Sequence, residues 1–213
     1  SFSITGIYLA GSSGNVISSN KIGDCKGNGI CANNGGRTLN AASTDNKITG
    51  NIINNTLNDG IYIGTGSTGT VISKNDVGVS NKSGIVVLDS KKCQVISNKV
   101  SDCRLDGIYL KNIGDTDIKS NNVTTVKRYG VQVISSQLKS LYGNTITGNG
   151  NCGLRIVQSR ISGSQQNRLR NNGSSYAVYS RNSTGSVLVR LPASARITRN
   201  TARITGTAAG GRR

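Results

Sequence analysis

The chain has 213 residues, 28 of them glycine, with one proline and no His, Met or Trp. Its 26 Lys and Arg face 9 Asp and Glu, for a formal net charge of +17. The length suits one domain with a core of ordinary size. The missing His excludes a His-dependent catalytic triad and a His-ligated metal site, and no apolar run is long enough for a membrane-spanning helix.

Taken in chain order, the sequence repeats itself. Ser1 begins directly in strand-like sequence with no signal peptide in view, so the chain is read as a fragment or a processed product. Gly6, Gly29, Gly60, Gly84, Gly107, Gly130 and Gly153 each open an alternating apolar segment, and Ala177 opens an eighth. The steps between these starts are 23, 31, 24, 23, 23, 23 and 24 residues. The extra residues of the long step fall in the polar stretch from Asn33 to Asn46 and predict a protruding loop. A second column with the same period is Asn20, Asn51, Asn75, Asn98, Asn121, Asn144 and Asn167. It is flanked by aliphatic columns that include Ile17, Ile48 and Ile72 on one side and Ile22, Ile53 and Val77 on the other.

Alternation of apolar and polar residues is a strand pattern. One such coil cannot bury its inward face, whereas coils stacked about 4.8 Å apart bury a continuous aliphatic column. The expected fold is all-β, a single right-handed parallel β-helix of about eight coils of roughly 23 residues over residues 1–192. Residues 193–213 are expected to form a basic edge strand or tail. The Gly at each start is expected to supply a bend with positive φ. The Asn column is expected to occupy left-handed corners and to bond up the stack as an amide ladder.

The recurring unit Gly-Ile-Tyr-Leu, followed by Val-Ile-Ser-x-Asn-x-Ile, resembles the parallel β-helix repeat of the pectate-lyase-like superfamily. That group contains polysaccharide lyases, hydrolases, epimerases and phage tailspikes. The resemblance spans about residues 1 to 180. It implies an extracellular or virion-associated protein, a carbohydrate groove on the first sheet, and calcium as the one cofactor the family would allow. The His-containing signatures of polygalacturonases and alginate epimerases cannot be present in a chain without His. The pectate-lyase motif is approached at Arg190, Pro192 and Arg196 with one residue too many.

The charge is uneven. The first 117 residues hold 11 basic and 9 acidic residues, and the remaining stretch holds 15 basic residues and no acid. A positive carboxyl-terminal half points to a polyanion: an acidic polysaccharide or the phosphates of lipopolysaccharide. No nucleic-acid motif accompanies it. The five cysteines, Cys25, Cys31, Cys93, Cys103 and Cys152, show no C-x-x-C spacing and read as small buried hydrophobes.

Two columns could carry chemistry. Two places after each Gly lies an outward position: Tyr8, Cys31, Tyr62, Val86, Tyr109, Gln132, Arg155 and Tyr179. Lys111 and Arg181 face the same way two places further on. Aromatic rings stack on sugars, and Arg pairs with carboxylates. Tyr8, Tyr62, Tyr109, Lys111, Arg155, Tyr179 and Arg181 are therefore the expected substrate-binding residues. Immediately before the glycines lie Asp59 and Asp106, two coils or about 9–10 Å apart. That is near the wide end of the spacing used by inverting glycosidases. They are the expected catalytic pair if the chain is an enzyme, a lyase or a glycoside hydrolase. The alternative is the shaft of a trimeric tailspike or surface stalk with function held elsewhere.

Overall fold

The computed structural model describes residues 4–34, 42–173, 176–191, 196–198 and 203–208. Within them the chain is a parallel β-solenoid without helix. No helix among the described residues is long and apolar enough to cross a membrane. The first sheet stacks nine strands in chain order, from Ile7–Ala10 through Ile108–Lys111, Val131–Ile134 and Leu154–Val157 to Tyr176–Arg181 and Arg196–Thr198. Its register holds the sequence columns together: Tyr62 pairs with Val86, Val86 with Tyr109, Tyr109 with Gln132, Gln132 with Arg155, and Arg155 with Tyr179. A second and a third sheet complete each coil. The long strand Thr184–Leu191 joins these two, pairing with Arg160 in one and Asn167 in the other. Half of the predicted protruding loop, residues 35–41, lies outside the described residues. The chain beyond residue 192 contributes Arg196–Thr198 and Arg203–Ala208, both laid in parallel on the stack.

The inward columns form one aliphatic core. Ile61, Ile85, Ile108 and Leu154 from the first sheet meet Ile72, Val95 and Ile118 from the second and Val77, Val100 and Val123 from the third, all fully buried. All five cysteines are buried and free.

Two expected reasons for the repeat are corrected. None of Gly6, Gly29, Gly60, Gly84, Gly107, Gly130 and Gly153 has positive φ. Space, not backbone freedom, selects them. A Cβ on Gly107 would sit 2.2 Å from Val123 Cγ1 and 2.7 Å from the carbonyl oxygen of Gly130. The third-sheet aliphatic closes across the coil into the notch that glycine leaves.

Nor do the ladder asparagines turn the corner. The left-handed residue is the one before each of them: Ser19, Gly50, Lys74, Ser97, Ser120, Gly143 and Gln166. The Asn side chain instead satisfies the backbone groups that the corner removes from the strand ladders. Asn98 shows the pattern. Its Nδ2 donates to the Ile72 carbonyl at 2.9 Å and to Asn121 Oδ1 at 3.0 Å. Its Oδ1 accepts from the backbone N–H and the Nδ2 of Asn75, both at 3.0 Å. The same amide contact links Asn20 to Asn51 and runs coil by coil to Asn167. A shorter hydroxyl column marks another corner, where Ser136 N–H donates to Ser159 Oγ and Ser159 N–H to Ser183 Oγ, both at 3.1 Å.

Asn98→Ala strands several buried polar groups and should cost about 3 kcal/mol, whereas Asn20→Ala at a half-buried rung of the ladder should cost less than about 1 kcal/mol. Urea denaturation of the two variants measures both, and equal costs would contradict the ladder's role.

Candidate functional site

The first sheet presents a face whose character changes along the stack. At one end Tyr8 is half exposed, and its hydroxyl donates to Asn33 Oδ1 at 2.8 Å. Tyr62 lies two strands further along, with Asp59 and Asp89 near enough to add to the effect of burial in raising its hydroxyl pKa. At the other end lie Tyr109, Arg155 and Tyr179. Four strands, about 19 Å at 4.8 Å each, separate Tyr8 from Tyr109. The expected binding residues therefore divide into Tyr8 and Tyr62, of which Tyr62 is flanked by acids, and a basic group. Lys111 and Arg181 are exposed along the edge of the basic group, with Lys111 paired in register with Ile134 and Arg181 with Val157.

The basic group is held together by contacts that cross three coils. The Arg155 guanidinium lies 5.3 Å from the Tyr129 ring centroid and 5.7 Å from that of Tyr179. Arg128 also lies 5.3 Å from the Tyr129 ring. A guanidinium over ring faces keeps its full charge while its position is restrained. Gln132 occupies the register position between Tyr109 and Arg155 and is buried. Its amide takes the orientation its neighbours dictate: Nε2 donates to Asp106 Oδ2 at 2.8 Å, and Oε1 accepts from Arg155 Nη1 at 2.5 Å. The reverse orientation would set oxygen against oxygen and nitrogen against nitrogen.

Asp106 is buried at the turn that leads into its strand. Its Oδ1 accepts from the Tyr129 backbone N–H at 3.2 Å and lies 3.8 Å from Arg128 Nε. Burial raises its pKa above the usual carboxylate range, against the opposing pull of Arg128, the Tyr129 N–H and Arg155. Asp59 is also buried, and its Oδ1 accepts from the Ser83 N–H at 2.9 Å. Burial raises its pKa too, against the Ser83 N–H and Lys82. Tyr129, Gln132 and Arg128 are absent from the expected set. The available signal was spacing: Tyr129 stands one repeat after Asp106 and immediately before its own glycine, in a column read for acids alone.

The family model described as periplasmic copper-binding protein (NosD) matches residues 3–183. The chain belongs to the NosD family. No curated protein matches it. Among solved structures, it is similar to a double mutant of the periplasmic alginate epimerase AlgG, with a TM-score of 0.73 and 17% identity, over 91% of this chain and 50% of that one. It is similar to the enzymatically active domain of tailspike protein 2 of bacteriophage CBA120, with a TM-score of 0.64 and 12% identity, over 96% of this chain and 39% of that one. The A-module of the Azotobacter vinelandii mannuronan C-5 epimerase AlgE6 gives a TM-score of 0.60 and 14% identity, over 94% of this chain and 65% of that one. This member of the NosD family thus spans between 39% and 65% of the length of those proteins. At these identities the likeness shows the fold.

The family description concerns copper, and the donors of this chain do not fit it. There is no His and no Met, and soft copper sites draw on imidazole, thiolate and thioether. The cysteines are buried and dispersed. Burial above all pushes the thiols of Cys31, Cys93 and Cys152 up to about 11, and that of Cys103 up to about 12. Among the described residues no three of His, Cys, Asp and Glu gather as a metal site.

A thiol with a pKa near 11 or 12 stays protonated and unreactive at pH 8. A disulfide reagent added at that pH should leave Cys31, Cys93, Cys103 and Cys152 unmodified in the native protein and react with all five cysteines in denaturant. Rapid native reaction of Cys103 would contradict the burial described.

Proposed function

We propose that this chain binds an acidic polysaccharide along the basic end of its first sheet, in a periplasmic or extracellular setting. One observation carries the reading: Arg155 is held between the rings of Tyr129 and Tyr179 on an open sheet face, in register with Gln132 and Tyr109. Ring faces suit the apolar faces of sugars. A restrained guanidinium suits a uronate carboxylate, which its planar fork can grip in bidentate fashion. Exposed Lys111 and Arg181 extend the positive strip. The chain carries no acid after Asp117 to neutralise it. The epimerase and tailspike structures lend the reading support, as does the periplasmic description of the family.

Binding, rather than bond cleavage, is what the acidic groups favour. Asp59 and Asp106 are enclosed, and each carboxylate is occupied by a backbone N–H. A general acid or base must reach the glycosidic oxygen or a water beside it.

A second reading, the shaft of a trimeric spike, draws on the tailspike similarity and on exposed Val16, Ile52, Leu57 and Val79. Sedimentation separates the two: a stable trimer with no affinity for any glycan favours the shaft.

The binding reading predicts retention on a polyuronate and none on dextran, weakening as salt is raised. Arg155→Ala should reduce polyuronate affinity about tenfold, equivalent to about 1.4 kcal/mol, and Lys111→Ala about twofold. Isothermal titration with an oligouronate measures both. Lipopolysaccharide binding that survives Arg155→Ala would move the anion site elsewhere on the basic half.

A further inference from the structure

The buried carboxylate Asp106 and the half-buried cation Arg155 form no direct ion pair, yet one side chain spans them. Gln132 Nε2 meets Asp106 Oδ2, and Gln132 Oε1 meets Arg155 Nη1. An ionised carboxylate has acceptors only and a guanidinium has donors only. The amide between them therefore has one orientation that satisfies both ends. Asp106 is itself fixed by the Tyr129 N–H, and the Tyr129 ring lies beside Arg155. The carboxylate is thereby tied to Arg155 by two routes, the Gln132 amide and the Tyr129 residue.

We propose that Asp106 and Gln132 form a polarity relay in which the buried carboxylate, through the Gln132 amide, positions Arg155 for an anionic sugar. Asp106 is then a positioning residue, and Gln132 sets specificity by keeping an acceptor aimed at the guanidinium. The relay deepens the binding reading of the same face and rests on it for its ligand. Its geometry can be read without any ligand.

The informative substitution is Asp106→Asn. It keeps the shape and the acceptor for the Tyr129 N–H. It also places an NH2 group against Gln132, so the Gln132 amide turns over and sets its own nitrogen against Arg155. Gln132→Met removes the bridge while leaving Asp106 in place.

The test is a double-mutant cycle with an oligouronate, which isolates coupling from general structural damage. In the parent protein Asp106→Asn should weaken binding about fivefold to tenfold, and in an Arg155→Ala background less than about twofold. Equal losses in the two backgrounds would overturn the relay. A parent protein that binds no acidic glycan would overturn the functional reading alone. In that event the Arg155 Nε–H signal in NMR still decides the relay. It should shift and exchange faster in both Asp106→Asn and Gln132→Met, and an unmoved signal in folded variants would overturn the proposal.

Discussion

The structure depends on one constraint: a polar backbone stacked coil on coil must find a partner for every group it buries. Along the strands the parallel ladders do this. At the corners they cannot, because a residue with positive φ breaks the strand just before each ladder asparagine. The buried Asn amide then replaces the lost ladder bonds, reaching a carbonyl in the coil before and an amide in the coil after. Each asparagine is satisfied only if its neighbours are present, so stability is shared between adjacent coils, as in other solenoids. Where the column ends, Asn167 pairs with Val189 on a strand that runs straight through the corner.

That regular stacking makes the candidate site. A fixed coil height and register turn residues 23 positions apart into neighbours, so a surface is written as columns. Tyr109, Gln132 and Arg155 come from three coils and form one row. Asp106 and Tyr129 join it from the turn that precedes the strand. The asymmetry of charge does the rest. Near Tyr62 the sheet is flanked by exposed Asp89 as well as buried Asp59, whereas near Arg155 lies Asp106, which is buried and bonded to the Tyr129 N–H and the Gln132 amide.

Much of this was legible in the sequence because the period is strict. The fold, the inward columns, the register of the first sheet and the place of Arg155 between Gln132 and Tyr179 follow from counting in steps of 23 or 24. The causes were less legible than the positions. Glycine at Gly107 looked like a turn residue, but it is a notch for Val123, and a contact across the coil leaves no local mark in the sequence. Asn98 looked like the corner, but Ser97 turns it. The relay was hidden for a similar reason: Gln132 lies on the outward side of the sheet and yet is buried. Periodicity gives the side of a sheet a residue faces, not what covers it.

The most direct test of the account is hydrogen–deuterium exchange with and without a saturating oligouronate. Added protection should be confined to the first-sheet strands Ile108–Lys111, Val131–Ile134 and Leu154–Val157 and the turns that precede them. Protection on the second or third sheet, with those strands unchanged, would contradict it.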